Sequence, residues 1–162
     1  MKEIQTIKFV CGGQTGVDRG MLDACLEKSF TCGGWCPDGR KAEDGTIDTK
    51  YPLLELSGAD YIDRTLKNVE DSDATIVIYA GELQGGTSAS VEFAKAQRKP
   101  VLLVNTAEEA LSSSCKRILA FIDQNCLERV NWSGPRASEW GEAYSTAKRI
   151  ALEVIEALRN RV

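Results

Sequence analysis

A glycine-bearing turn near the start of the chain has the residue types and spacing of an anion-binding site. The motif Gly12-Gly13-Gln14-Thr15-Gly16 lies between a short apolar segment and apolar residues at helical spacing, which predicts a strand that turns into a helix. Glycines let backbone N–H groups approach a ligand, and the first N–H groups of a helix lack partners within it. Because the helix dipole adds positive charge there, phosphate-like groups are the expected ligands. A tight turn without a ligand is the alternative, since the motif matches neither the dinucleotide fingerprint nor the P-loop.

Two further turns follow predicted strands. The β-branched segment 74–79 is typical of a buried strand, and Gly85-Gly86-Thr87-Ser88 lies between it and a helical pattern. Thr87 or Ser88 is the expected N-cap of that helix. Residues 133–138 form the third turn, after the last predicted strand. Each of these turns is therefore expected to place polar backbone groups at the end of a strand.

Four arginines lie in or near these turns, and each guanidinium could offer a planar fork to a phosphate. They are Arg19, Arg40, Arg64 and Arg136. Arg40 belongs to the polar, glycine-punctuated segment 37–59, which is typical of either a functional loop or a solvated surface loop. Arg64 has acidic neighbours in sequence, so a surface ion pair is the alternative to ligand binding.

Composition limits the chemistry that the chain can perform. Its 162 residues are 43% hydrophobic, which is enough for the core of one domain spanning residues 1–162. The chain has no histidine, which excludes imidazole-dependent catalysis, and its formal net charge of −4 argues against broad binding to nucleic acids or anionic membranes. No segment is typical of a signal peptide or membrane span, so we expect a cytoplasmic protein. Six scattered cysteines are expected to be reduced and packed; Cys32 and Cys36 are the pair considered for a metal or redox site, and we assign no metal ligands.

Strand and helix patterns alternate along the chain. This alternation predicts an α/β fold, a Rossmann-like three-layer sandwich with a mostly parallel five-stranded sheet and helices on both faces. Ligands of such sheets bind outside the carboxyl ends of the strands, where all three turns lie. The strand order 2-1-3-4-5 would make the first and third strands neighbours and bring two helix N-termini to one crevice.

The motifs that carry these features occur together in one known family. The chain resembles the molybdenum carrier family, also described as circularly permuted YpsA-like proteins. The resemblance rests on Gly12-Gly13-Gln14-Thr15-Gly16-Val17-Asp18-Arg19-Gly20, Pro37-Asp38-Gly39-Arg40-Lys41-Ala42-Glu43-Asp44-Gly45, Tyr61, Arg64-Thr65, Asn68-Val69, Ser72-Asp73, Gly85-Gly86-Thr87 and Gly134-Pro135-Arg136.

The resemblance implies a Rossmann-like fold related to the SLOG and Lonely Guy group and a homo-oligomer that holds the molybdenum cofactor. That cofactor is a pterin with a phosphate and a dithiolene-bound oxomolybdenum group, so the expected partner is a small anionic ligand. Proteins that make or accept the cofactor are further expected partners. The candidate ligand-binding residues are Gly12, Gly13, Gln14, Thr15, Gly16, Asp18, Arg19, Arg40, Arg64, Gly85, Gly86, Thr87, Ser88 and Arg136.

Two alternatives to a carrier remain open, an enzyme and a nucleotide-binding sensor. The Lonely Guy hydrolases, which cleave the N-glycosidic bond of nucleoside monophosphates, have a Gly-Thr and a glutamate after a glycine pair. Here Glu92 follows Gly85-Gly86, but Ser88-Ala89 replaces the inner Gly-Thr. Glu92 and Glu43 are therefore the candidate catalytic carboxylates, and an exposed helical position is the alternative for Glu92.

Assembly is expected from the aromatic residues. Trp35, Trp132 and Trp140 lie in or beside loop segments, where a small monomer would have difficulty covering them. Since aromatic residues are enriched in interface cores, this pattern favours a dimer or a tetramer of dimers.

Overall fold

The computed structural model describes residues 6–161, which form alternating strands and helices. In chain order the elements are β1 (Lys8–Val10), α1 (Val17–Lys28), β2 (Cys32–Gly33), β3 (Trp35–Pro37), a 3-10 turn (Asp38–Arg40), β4 (Lys41–Ala42), β5 (Gly45–Thr46), β6 (Leu54–Leu56), α2 (Tyr61–Glu70), β7 (Ala74–Tyr79), α3 (Gly85–Ala96), β8 (Val101–Asn105), α4 (Leu111–Gln124), β9 (Arg129–Ser133) and α5 (Ala143–Arg159).

The central sheet has five parallel strands in the order β2-β1-β9-β7-β8. The predicted α/β class, with a parallel five-stranded sheet, is therefore confirmed. The expected order 2-1-3-4-5 is wrong, because β9 lies between β1 and β7. Its central position buries Val130 and Trp132 almost completely, and Asn131 donates to the Thr75 hydroxyl at 3.3 Å. Because this short strand contains polar residues, its sequence does not indicate that it lies at the centre of the sheet.

Helices form a layer on each face of the sheet. Helix α5 packs against α1 and α4 on one face, and α2 packs against α3 on the other. The α5 face includes the buried residues Ala147, Ala151, Val154, Ile155 and Leu158, as its apolar stripe predicts. Phe9 lies between Phe30 and Trp132 in the core, with ring centroids 4.6 and 5.0 Å away.

The segment between β3 and α2 is more ordered than its sequence indicates. It contains the β4–β5 hairpin, and β6 pairs with β3 in a separate two-stranded parallel sheet. Ile47, Tyr51 and Leu53 of this segment are buried, and Ile47 and Leu53 lie against Gly13. This segment thereby covers the first glycine turn.

Candidate functional site

A cleft opens at the carboxyl-terminal edge of the sheet, with a volume of about 320 Å3. It is formed by the turns after β1, β7 and β9 together with the start of α2. A volume in this range is typical of small-molecule sites. The residues lining the cleft are Gln14, Asp18, Asp60, Tyr61, Ile62, Arg64, Thr65, Gly85, Gly86, Thr87, Ser90, Ser133, Gly134, Arg136 and Glu139.

The structure divides the predicted ligand-binding residues into two groups. Those in the cleft lining are Gln14, Asp18, Arg64, Gly85, Gly86, Thr87 and Arg136. Those outside this lining are Gly12, Gly13, Thr15, Gly16, Arg19, Arg40 and Ser88. The contacts of each group account for this division.

The N-terminus of α3 opens directly onto the cleft. The helix begins at Gly85, and Gln84, its N-cap residue, makes no side-chain capping bond. The expectation that Thr87 or Ser88 is the N-cap is wrong, because the Ser88 N–H already donates to the Gln84 carbonyl at 3.3 Å and the helix starts earlier. A Cβ on Gly86 would meet nothing within 4 Å. The first turn of α3 is thus available to an anion.

Arg64 of α2 lies over the first glycine turn. A Cβ on Gly12 would overlap its guanidinium, so the glycine makes room for this side chain. Nη1 lies 2.5 Å from the Thr65 hydroxyl, whereas the buried Nε has no hydrogen-bond partner among the described residues. Nor does any carboxylate of residues 6–161 form an ion pair with Arg64, so the surface ion pair considered from the sequence is not formed. A buried, unpaired N–H is costly, and a ligand oxygen in the cleft could satisfy it.

Asp18 is the buried carboxylate of the cleft, with 6% of its surface exposed. Its Oδ2 accepts the Gln14 N–H at 3.1 Å. Burial raises the pKa of Asp18 to about 6, although Arg64, the Gln14 N–H and Arg19 act in the opposite direction. Asp18 is therefore an ionisable hydrogen-bond acceptor at the site.

Arg136 carries a second guanidinium to the cleft, but it is shared with two carboxylates. Its Nε lies 3.3 Å from Glu139 and 3.7 Å from Glu43. Glu43 also accepts from the Ser138 N–H at 3.1 Å, from the Ser138 hydroxyl at 2.6 Å and from the Thr15 hydroxyl. These hydrogen bonds lower the pKa of Glu43, with the Ser138 hydroxyl first in effect. Glu43 thus joins three loops as a carboxylate, whereas a general acid near neutral pH needs a raised pKa.

The other candidate carboxylate, Glu92, lies on α3 beyond the cleft. Its side chain is exposed, and it is not among the residues that line the cleft. This placement corresponds to the exposed helical position considered from the sequence.

Two of the four arginines hold the segment 40–53 instead of lining the cleft. Arg40 donates to the backbone carbonyls of Ile47, Asp48, Tyr51 and Leu53 at 2.8–3.0 Å. Its guanidinium therefore organises the loop from within.

Arg19 forms a two-bond pair with Asp44, at 2.9 Å for each bond, and donates to the Gly13 carbonyl at 2.8 Å. The pair ties the start of α1 to the β4–β5 hairpin. All of these bonds are made within the chain.

The first glycine turn is closed by contacts with other loops. Gly13 has φ +78, and a Cβ there would overlap the Leu53 side chain; Gly16 has φ +83 and lies against the backbone of residues 135–137. The N–H groups of Gln14 and Thr15 donate to Asp18 and to the Gln14 side chain. This turn therefore supports the cleft, while α3 presents the open helix terminus.

Several cleft residues were not predicted from the sequence. They are Asp60, Tyr61, Ile62, Thr65, Ser90, Ser133, Gly134 and Glu139. Ser90 could have been found from its position one helical turn after Gly86 on α3. Asp60, Tyr61 and Ile62 line the cleft because α2 starts at the rim of the cleft. No local sequence pattern indicates this position of α2.

Within residues 6–161, no group of three or more His, Cys, Asp or Glu side chains is placed to hold a metal ion. Cys32 interacts with Cys25 and not with Cys36, and all six cysteines are free. No helix in the described part of the chain is long and apolar enough to cross a membrane.

The chain is similar to known proteins over nearly its full length. The model of the circularly permutated YpsA SLOG family matches residues 9–155. A crystal structure from Syntrophus aciditrophicus SB, of a "Putative molybdenum carrier protein", is 35% identical with a TM-score of 0.89, covering 95% of this chain and 97% of that chain. Among curated proteins, no sequence matches significantly. The family match spans every turn of the cleft, and the chain therefore belongs to the circularly permutated YpsA SLOG family.

Proposed function

We propose that this protein binds the molybdenum cofactor as cargo and holds the cofactor's phosphate at the N-terminus of α3. The observation that carries the proposal is the open first turn of α3 in the same cleft as the unpaired Nε of Arg64. An uncapped helix terminus is suited to a phosphate oxygen, and the free guanidinium N–H is suited to an oxygen elsewhere on the same ligand. The crystal structure named as a molybdenum carrier supports the choice of cargo.

The remaining cleft residues fit a flat ring with an anionic tail. Tyr61 and the half-exposed Ile62 supply apolar surface for a ring, and Arg136, although paired with Glu139 and Glu43, brings a second guanidinium to the cleft. The molybdenum is held by the cofactor's own dithiolene, so the protein needs to bind only the pterin and its phosphate. A carrier of this kind would receive its cargo from cofactor-synthesising proteins and release it to acceptor proteins.

The phosphate position can be tested by substituting two glycines that both have space for a side chain. Gly86 and Gly141 each have no atom within 4 Å of an added Cβ, and neither requires a positive φ. We expect Gly86→Val to weaken retention of the cofactor by about 10-fold to 100-fold, because the side chain would occupy the phosphate position and remove charge-assisted hydrogen bonds. Gly141→Val is the matched control and should retain the cofactor as the wild type does.

Purified wild-type and variant proteins would be incubated with released cofactor, separated from unbound material and assayed for bound molybdenum. Thermal unfolding would be measured in parallel, and both variants should remain folded. Equal retention by Gly86→Val and the wild type would refute the phosphate position.

A nucleotide is the second candidate ligand, because a nucleoside monophosphate offers the same cleft a phosphate and a ring. Hydrolysis of its glycosidic bond would require a carboxylate in the cleft. Asp18, whose burial raises its pKa to about 6, is better placed for such a role than Glu92 or Glu43. Release of free base from a panel of nucleoside monophosphates, measured by chromatography, tests this alternative.

A further inference from the structure

A small polar chamber of about 20 Å3 lies beneath the cleft. The chamber forms part of the cleft floor, because five residues line both spaces: Asp18, Arg64, Thr65, Ser90 and Ser133. A space of this size holds one water molecule or the polar edge of a bound ring. The unused hydrogen-bonding capacity of its lining therefore indicates which ring edge fits.

Most polar groups around the chamber are satisfied within the chain. The Ser90 hydroxyl bonds to the Gly86 carbonyl at 3.2 Å and to the Ser133 hydroxyl at 2.8 Å. The Asn131 amide donates to the Thr75 hydroxyl at 3.3 Å. These contacts leave Asp18 and two buried donors that lack an acceptor among residues 6–161, Arg64 Nε and Trp132 Nε1, as the groups to consider for a ligand.

Arg64 contributes an unused donor. Its Nε is buried and lacks an acceptor among residues 6–161, while its Nη1 already contacts Thr65. A buried donor without an acceptor costs free energy, so a ligand that brings an oxygen here is favoured over one that brings an N–H.

Asp18 contributes unused acceptor capacity. Its carboxylate accepts the Gln14 N–H through Oδ2, yet an ionised carboxylate can accept about four hydrogen bonds. The group is nearly inaccessible to bulk water and forms no ion pair within the described residues. A ligand that brings N–H groups to this carboxylate would satisfy it.

We infer that the cleft floor recognises a lactam edge, a ring N–H beside a ring C=O, with Asp18 accepting the N–H and Arg64 Nε donating to the oxygen. The inference rests on the proposed phosphate site, which positions the other end of the same ligand. Pterins and guanine share a 2-amino-4-oxo-pyrimidine unit that has this edge. When the phosphate holds adenine in the same register, adenine places its amino donor at the position of the oxygen and a bare ring nitrogen at the position of the N–H, and it leaves both protein groups unsatisfied.

The test compares guanosine and adenosine 5′-monophosphates, which have the same ribose and phosphate. Isothermal titration calorimetry should show that the wild-type protein binds the guanosine nucleotide at least about tenfold more tightly. The adenosine nucleotide would leave the buried Asp18 and Arg64 groups without matching hydrogen-bond partners, which costs binding free energy. In Asp18→Asn the remaining amide oxygen can still accept the Gln14 N–H, but the variant should lose most of this preference.

Asp38→Asn is the matched control. It makes the same chemical change on an exposed carboxylate outside the cleft lining that, like Asp18, accepts a backbone N–H, in this case from Gly58 at 3.2 Å. Its guanosine-to-adenosine preference should equal that of the wild type.

The outcomes separate this inference from the proposed function. Equal affinities of the wild type for the two nucleotides, or an unchanged preference in Asp18→Asn, would overturn the lactam assignment and leave the phosphate site standing. Binding of neither nucleotide, nor of ribose 5-phosphate, would overturn the phosphate site and this inference with it.

Discussion

Replacing Asp18 with asparagine should stabilise the protein at neutral pH and leave its stability unchanged near pH 4. The carboxyl is 6% exposed, and burial outweighs the favourable contacts with Arg64 and the Gln14 N–H. Asparagine has nearly the same shape and can keep the hydrogen bond from Gln14, but it carries no charge to desolvate. The variant therefore removes the cost of burying the ionised group.

The magnitude follows from the shift in pKa, from the ordinary value of 3.8 to about 6 in the folded protein. Between these pH values the folded chain binds a proton that the unfolded chain has released, so stability falls as pH rises through this window. Above pH 6 the wild type bears the full free-energy cost of burying the ionised Asp18 carboxylate. A shift of about two pKa units at 1.36 kcal/mol each corresponds to about 3 kcal/mol.

Urea unfolding of the wild type and Asp18→Asn at pH 4.5 and pH 7.5 measures this difference. The variant's advantage should grow by roughly 2–3 kcal/mol between the two conditions. Asp44→Asn is a control of opposite sign, because the pair with Arg19 lowers the pKa of Asp44 and its loss should destabilise the protein above that pKa. A pH-independent effect, or a variant less stable than the wild type at pH 7.5, would refute the assignment of Asp18 as a costly buried carboxylate.

Three further predictions concern the loops and the assembly. Gly13→Val should lower the free energy of unfolding by about 2–4 kcal/mol in urea titrations, because φ +78 disfavours valine and the Leu53 side chain occupies the space of its Cβ. Arg40→Ala should destabilise the fold by about 2–4 kcal/mol through lost hydrogen bonds to loop carbonyls, while cofactor affinity changes less than twofold; the reverse pattern would show a direct binding role. Sedimentation equilibrium should give the mass of a homo-oligomer, in which the half-buried Trp35 is a candidate interface residue and the core residue Trp132 is not; a single-chain mass would contradict this prediction.

Local patterns predicted much of the fold and part of the cleft. The β-branched run at 74–79 and the apolar stripe of α5 each depend on neighbouring residues, and both elements form where expected. Gly85 and Gly86, which line the cleft, were predictable for the same reason, because a glycine-rich helix start after a strand is a local feature. Strand order was not predictable in this way, because β9 takes its place through packing against both β1 and β7.

The sequence by itself determined the parallel α/β architecture and the presence of polar turns at the strand ends, because these follow from short-range periodicity and turn residues. Only the tertiary structure decided which turns and arginines remain free for a ligand. Arg40 is occupied by carbonyls 7–13 residues away, and Glu43 is bound by Ser138, 95 residues away, whereas Arg64 Nε has no acceptor among residues 6–161. A hydrogen-bonding group is free only if no other part of the folded chain reaches it, and that depends on distances between residues that the order of the sequence does not contain.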